Sequence, residues 1–114
     1  VEHGRQAFAR LMRRVPRPSV VICGNDVLAA GALQMARDMG LHVPGDVSIT
    51  GFDDIEIATL VDPALTTVHV PHRAMGRQAA QLLIEMVRSG TPLAESVELQ
   101  TDLRLRGTLG PPPG

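Results

Sequence analysis

Two short β-branched runs, each closed by glycine and followed by acid, constrain the fold of this chain more than any other feature. Residues 19–23 (SVVIC) lead into Gly24-Asn25-Asp26, and residues 47–51 (VSITG) lead into Phe52-Asp53-Asp54. Both runs are short, apolar and β-branched, the pattern of strands buried on both faces. Between them, residues 27–39 read as a helix. Gly40 stops that helix ahead of a turn at Val43-Pro44-Gly45-Asp46. Strand, helix and strand in units of about 25 residues imply a parallel pair with a right-handed crossover. Ligands of such sheets dock outside the carboxyl ends of the strands. Both polar clusters fall at that edge.

The remaining segments extend the pattern. The segment at residues 4–14 places Ala7, Phe8, Leu11, Met12 and Val15 at helical spacing, with Arg5, Arg10, Arg13 and Arg14 largely off that stripe. Pro16 and Pro18 end that helix. Residues 55–61 read as a short helix broken by Asp62-Pro63, and residues 66–70 alternate like a third strand. From His72 a long helix carries Met75, Ala79, Leu82, Leu83, Met86 and Val87 on one side, and Gly90 stops it. Residues 97–106 alternate as one or two terminal strands. The expected class is α/β: a parallel sheet in a three-layer sandwich. Residues 1–107 form the domain, and the proline-rich residues 108–114 form a disordered tail.

Composition narrows the chemistry. With 114 residues the chain supports one core, not two independent ones. Its net charge of −1 offers no general attraction to nucleic acid or to an anionic membrane. No apolar stretch approaches the roughly 20 residues that span a bilayer. There is no lysine, which excludes a phosphate-loop or Schiff-base lysine within these residues. The single cysteine, Cys23, excludes an intrachain disulfide and fits a cytoplasmic setting. Trp and Tyr are absent, so only Phe8 and Phe52 could stack on a ring. The chain opens on Val1 rather than Met, as a fragment or a processed product would.

Each candidate site has a plainer alternative. Asp53 and Asp54 could bind ligand hydroxyls or amines, or hold magnesium for phosphoryl transfer, or cap the short helix that follows. The missing lysine weakens the phosphoryl-transfer version. Asn25 and Asp26 suit a helix N-cap and first-turn acid, and they also face the ligand edge. His69 and His72 are separated by Pro71 at a strand-to-helix junction, so a shared metal is not expected, nor is any cofactor. Cys23 reads as a small core residue. Residues 27–33 (VLAAGAL) are apolar on every side of their helix, which calls for complete burial in the chain or for a partner surface.

In order and spacing, four runs resemble the lactose-repressor/galactose-repressor family of bacterial transcription regulators. They are residues 21–33 (VICGNDVLAAGAL), 40–49 (GLHVPGDVSI), 51–54 (GFDD) and 63–68 (PALTTV). Met75-Gly76, Leu82-Leu83 and residues 103–108 (LRLRGT) continue the match, so it covers nearly the whole chain from about Arg5. The resemblance implies the C-terminal part of an effector-binding domain of periplasmic-binding-protein type. It implies a sugar or nucleobase-like effector, and no enzyme activity. DNA would be contacted only by a helix-turn-helix domain absent from this chain. Asp53 matches the acid that contacts the effector, and Asn25 lies in the same pocket. Ala30, Leu33, Leu60 and Val61 match homodimer contacts. The aromatic residues that stack on the family's ligands have few counterparts here, which leaves the pocket incomplete. A periplasmic sugar-binding protein of a transport system is the alternative with the same fold.

Overall fold

The computed structural model describes residues 1–92 and 96–114. It divides into two units, Val1–His69 with Asp102–Gly114, and Val70–Thr101.

The first unit opens with α1 (Glu2–Met12), which buries Phe8 and Met12 from the apolar stripe. β1 (Val20–Ile22) follows the two prolines. α2 (Asp26–Asp38) begins at Asn25, whose Oδ1 accepts the Leu28 amide at 2.9 Å. That cap satisfies one of the four amides left open at a helix start and stabilises it by about 1 kcal/mol. Gly40 then takes φ 74°, the left-handed stop expected of it. β2 (Ser48–Asp53), α3 (Ile57–Leu60) and β3 (Thr66–His69) follow, and β4 (Asp102–Arg104) completes the sheet.

The strand order is β1-β2-β3-β4. β1 pairs parallel to β2, with Val21 opposite Ile49, and β2 parallel to β3, with Asp53 opposite His69. β4 runs antiparallel to β3, with Val68 opposite Leu103. The sheet is thus mostly parallel rather than wholly so. The last strand is also shorter than residues 97–106, because pairing with β3 begins only at Asp102, opposite His69. Two residues beyond His69, Pro71 lacks the amide a longer ladder would need.

The core joins Phe8 and Met12 of α1, Ala29, Ala32, Leu33 and Ala36 of α2, and Val21, Val47, Ile49, Ala58 and Leu65 of the sheet and its connections. α2 packs on β2, and α1 packs on α2. The two helices meet backbone to backbone. A Cβ at Gly4 would collide with the Leu28 carbonyl, and one at Gly31 with the Val1 carbonyl. This close approach covers much of α2, so its apolar sides are largely buried within the chain. Ala30 and Leu33 are only 3% and 9% exposed.

The chain beyond β4 differs from expectation. Residues 108–114 were expected to be disordered, yet Thr108 is fully buried. Its Oγ1 accepts the Thr66 amide at 2.9 Å, and its carbonyl accepts the Ile49 amide at 2.9 Å. The Gly110 amide donates to Ser48 Oγ at 3.0 Å. The prolines at 111–113 suggested a loose end on composition. Thr108 instead satisfies two strand amides that would otherwise be left unpaired.

The second unit holds α4 (His72–Ser89), an 18-residue amphipathic helix closed by Gly90 at φ 71°. None of its residues is buried, and Met75, Leu83, Ile84 and Val87 are exposed.

Candidate functional site

The carboxyl ends of β1 and β2 bring Asn25, Asp26, Asp53 and Asp54 to one edge, where they divide into different roles. Asn25 is half-buried and spends Oδ1 on the helix cap. Asp26, one residue on, turns inward and has no exposed surface. Thr67 Oγ1 donates to its Oδ1 at 2.6 Å, and the Ile55 amide donates to its Oδ2 at 2.8 Å. The first turn of α2 adds the favourable end of a helix dipole. Asp26 was expected to reach a ligand. Its buried, doubly occupied carboxylate assigns it a structural role instead, tying α2 to β3 and to the loop after β2.

The same carboxylate explains Gly51. A Cβ there would collide with Asp26 Oδ1 and would lie 2.9 Å from Leu65 Cδ2. Glycine in the middle of β2 is what lets the buried acid sit over the strand.

Asp53 and Asp54 follow with φ of 107° and 60°, a region that non-glycine residues seldom occupy. Both are half-buried. Asp54 points its carboxylate into the protein, with 12% of the side chain exposed. Arg106 Nη1 donates to Oδ1 at 2.8 Å, and His69 Nδ1 lies 2.8 Å from Oδ2. The Arg106 hydrogen bond, opposed by desolvation and aided by the His69 hydrogen bond and by both groups' charge, holds the Asp54 carboxyl below its ordinary range. Arg106 also donates Nη1 to the Leu65 carbonyl at 3.0 Å, and its own amide donates to Thr66 Oγ1 at 2.9 Å.

Of the paired acids, Asp54 is therefore the one that Arg106 and His69 hold. Sequence reasoning missed Arg106 and Gly51 as parts of the site. Arg106 lay in a run read as a terminal strand and for its resemblance, and nothing local ties it to an acid 52 positions earlier. His69 engages Asp54 through Nδ1, and among the described residues no three His, Cys, Asp or Glu side chains gather as a metal site. Burial pushes the Cys23 thiol up to about 11, in keeping with a core residue.

A second constellation lies between α2 and α3. Ala30, Leu33, Leu60 and Val61 line one hollow of about 300 Å³, with Gln34, Arg37 and Asp62 beside them. Ala30 and Leu33 form its buried floor, and Leu60 stands 71% exposed.

A mostly parallel α/β sheet with a polar edge at its strand ends defines a class, and comparison with known proteins identifies it. The chain belongs to the family described as periplasmic binding protein-like domain, which matches residues 1–109. Its relatives within that family are transcription regulators of the LacI type, in agreement with the resemblance read from the sequence. It is 38% identical over 102 residues to the HTH-type transcriptional repressor PurR of Proteus mirabilis, covering 90% of this chain and 30% of the relative. Among solved structures, the transcriptional regulator CelR–cellobiose complex superposes with a TM-score of 0.86 at 32% identity, covering 92% of this chain and 32% of the other. The dimeric Lac repressor with an 11-residue C-terminal deletion gives 0.87 at 27%, covering 97% and 40%. The chain thus spans about a third of the length of the regulators it matches.

Proposed function

We propose that these residues are the effector-sensing and dimerising portion of a cytoplasmic LacI-type transcription regulator. On this reading a small polar effector, a sugar or related metabolite, binds at the carboxyl ends of β1 and β2. Its occupancy controls DNA binding by a helix-turn-helix domain outside this chain. The observation that carries the reading is Asp53: a half-buried acid at the end of a central parallel strand, held at a rare backbone angle beside a neighbour that is itself committed to the protein. A carboxylate there can accept two donors from a ligand hydroxyl pair or amine. Asn25 offers its amide nitrogen from the adjacent strand end. The likeness to a regulator solved with cellobiose supports a sugar-sized ligand.

The test is a calorimetric screen of the full-length regulator against sugars, including cellobiose and lactose, and against nucleobases. Asp53→Ala should weaken the binding found by about 1.5–3 kcal/mol, the range for hydrogen bonds to a charged group. Unchanged affinity would remove Asp53 from the ligand site.

The hollow between α2 and α3 is the proposed homodimer contact, with Leu60 and Val61 meeting the partner over the floor made by Ala30 and Leu33. A two-fold axis lets one such patch cover its copy. Leu60→Asp would place an unpaired charge in that contact. Sedimentation equilibrium should show a weaker dimer than wild type, and an equally tight one would place the interface elsewhere.

A further inference from the structure

We infer that Arg106 and His69 are positioning residues for the ligand-contacting acid: through Asp54 they hold the Asp53-Asp54 turn in its left-handed conformation and so aim Asp53. The inference rests on the reading of Asp53 given above. Two consecutive aspartates at φ 107° and 60° are strained, and such residues persist only where the surroundings over-determine them. Four constraints do so here. Arg106 holds one oxygen of Asp54 at 2.8 Å, and His69 holds the other at 2.8 Å. One residue further on, the Ile55 amide is pinned at 2.8 Å by the buried Asp26. On the other side, Asp53 is fixed in register opposite His69. The turn is therefore clamped at both ends.

Arg106 is itself rigid, because its amide and its guanidinium are both bonded to the start of β3, at Thr66 and Leu65. Its grip on Asp54 therefore transmits the position of the β3–β4 edge to the end of β2. An arginine that served only to neutralise Asp54 would not need that second attachment.

The test reads backbone geometry without any ligand, so failure of the effector screen leaves it intact. In the full-length regulator with isotope-labelled aspartate, positive φ gives strong intraresidue amide–Hα cross-peaks at Asp53 and Asp54. Arg106→Gln should weaken both, and His69→Gln should weaken that of Asp54. Adding Asp54→Gly to Arg106→Gln should restore the Asp53 cross-peak, because glycine holds a left-handed φ without a clamp. A purely structural loss would not be rescued this way. Slow exchange of the Ile49 and Thr67 amides reports that each variant is folded. If Arg106→Gln does not fold, Arg106→Lys and His69→Gln carry the same comparison. Full-strength cross-peaks in the folded single variants, or no rescue by glycine, would overturn the inference.

Discussion

Replacing Asp26 with alanine should be among the most damaging single changes available to this domain, and its partner in damage should be Gly51. Asp26 accepts two hydrogen bonds with no exposed surface, from the Thr67 hydroxyl at 2.6 Å and the Ile55 amide at 2.8 Å. Each bond to a charged acceptor contributes about 1.5–3 kcal/mol. Losing both leaves the buried Thr67 hydroxyl and the part-buried Ile55 amide without their partner, so Asp26→Ala should cost roughly 3–5 kcal/mol, a large share of the 5–15 kcal/mol of a marginal domain. Asp26→Asn should cost about half as much. The amide oxygen can still accept from Ile55, and its nitrogen can donate to the Thr67 oxygen. Gly51→Ala should cost about 1–3 kcal/mol, because its methyl collides with the carboxylate oxygen of Asp26. That collision disappears in Asp26→Ala, so the two losses should fall short of additive by at least about 1 kcal/mol in a double-mutant cycle. Urea unfolding of wild type, both single variants and the double variant measures it. Additive losses, or an Asp26→Ala loss under about 1 kcal/mol, would refute the assignment of Asp26 as a buried tie between α2, β3 and the β2 loop.

Three further outcomes follow from the geometry. The folded pKa of Asp54 is depressed, so its ion pair stabilises above the ordinary carboxylate pKa of ~3.9 and is lost as pH falls through the lower folded value; urea midpoints measured into acid should drop more in wild type than in Asp54→Asn. Gly31→Ala should destabilise by at least the ~1–3 kcal/mol of ordinary overpacking, since the methyl meets the backbone of Val1 rather than a movable side chain, and thermal unfolding checks it. With its thiol pushed up to about 11, Cys23 should react with iodoacetamide at neutral pH roughly a hundredfold more slowly than a free thiol of pKa ~8.5, and a rate equal to the free thiol would contradict its burial.

Local chemistry made most of the elements legible. Gly40 and Gly90 mark helix ends because a left-handed residue closes the last turn, and both adopt it. β2 was readable from its β-branched residues, and Asn25 from its place before an apolar run. What escaped depends on distance along the chain. The inward turn of Asp26 is decided by Thr67, 41 residues away, and the commitment of Asp54 by Arg106. A sequence window sees two acids beside each other and has no means of telling which one the fold has already used. The all-round apolar start of α2 was read as a surface in need of cover, and much of that cover comes from α1, admitted by two glycines that carry no periodic signal. The order of residues 108–110 was hidden by the prolines that follow them.

Residues 106–110 also set an order of events in folding. α1 and α2 are close in sequence and can pair early, since short loops close at little entropic cost. The start of β2 and of β3 cannot finish in the same way. Ser48 waits for Gly110 across 62 positions, and Thr66 waits for Thr108 across 42. Until those residues arrive, the amides of Ile49 and Thr66 lack their acceptors. Long-range closures of this kind slow folding more than local ones do. During synthesis, then, the amino ends of β2 and β3, opposite the edge that carries Asp53, stay unfinished until Thr108 and Gly110 have been added.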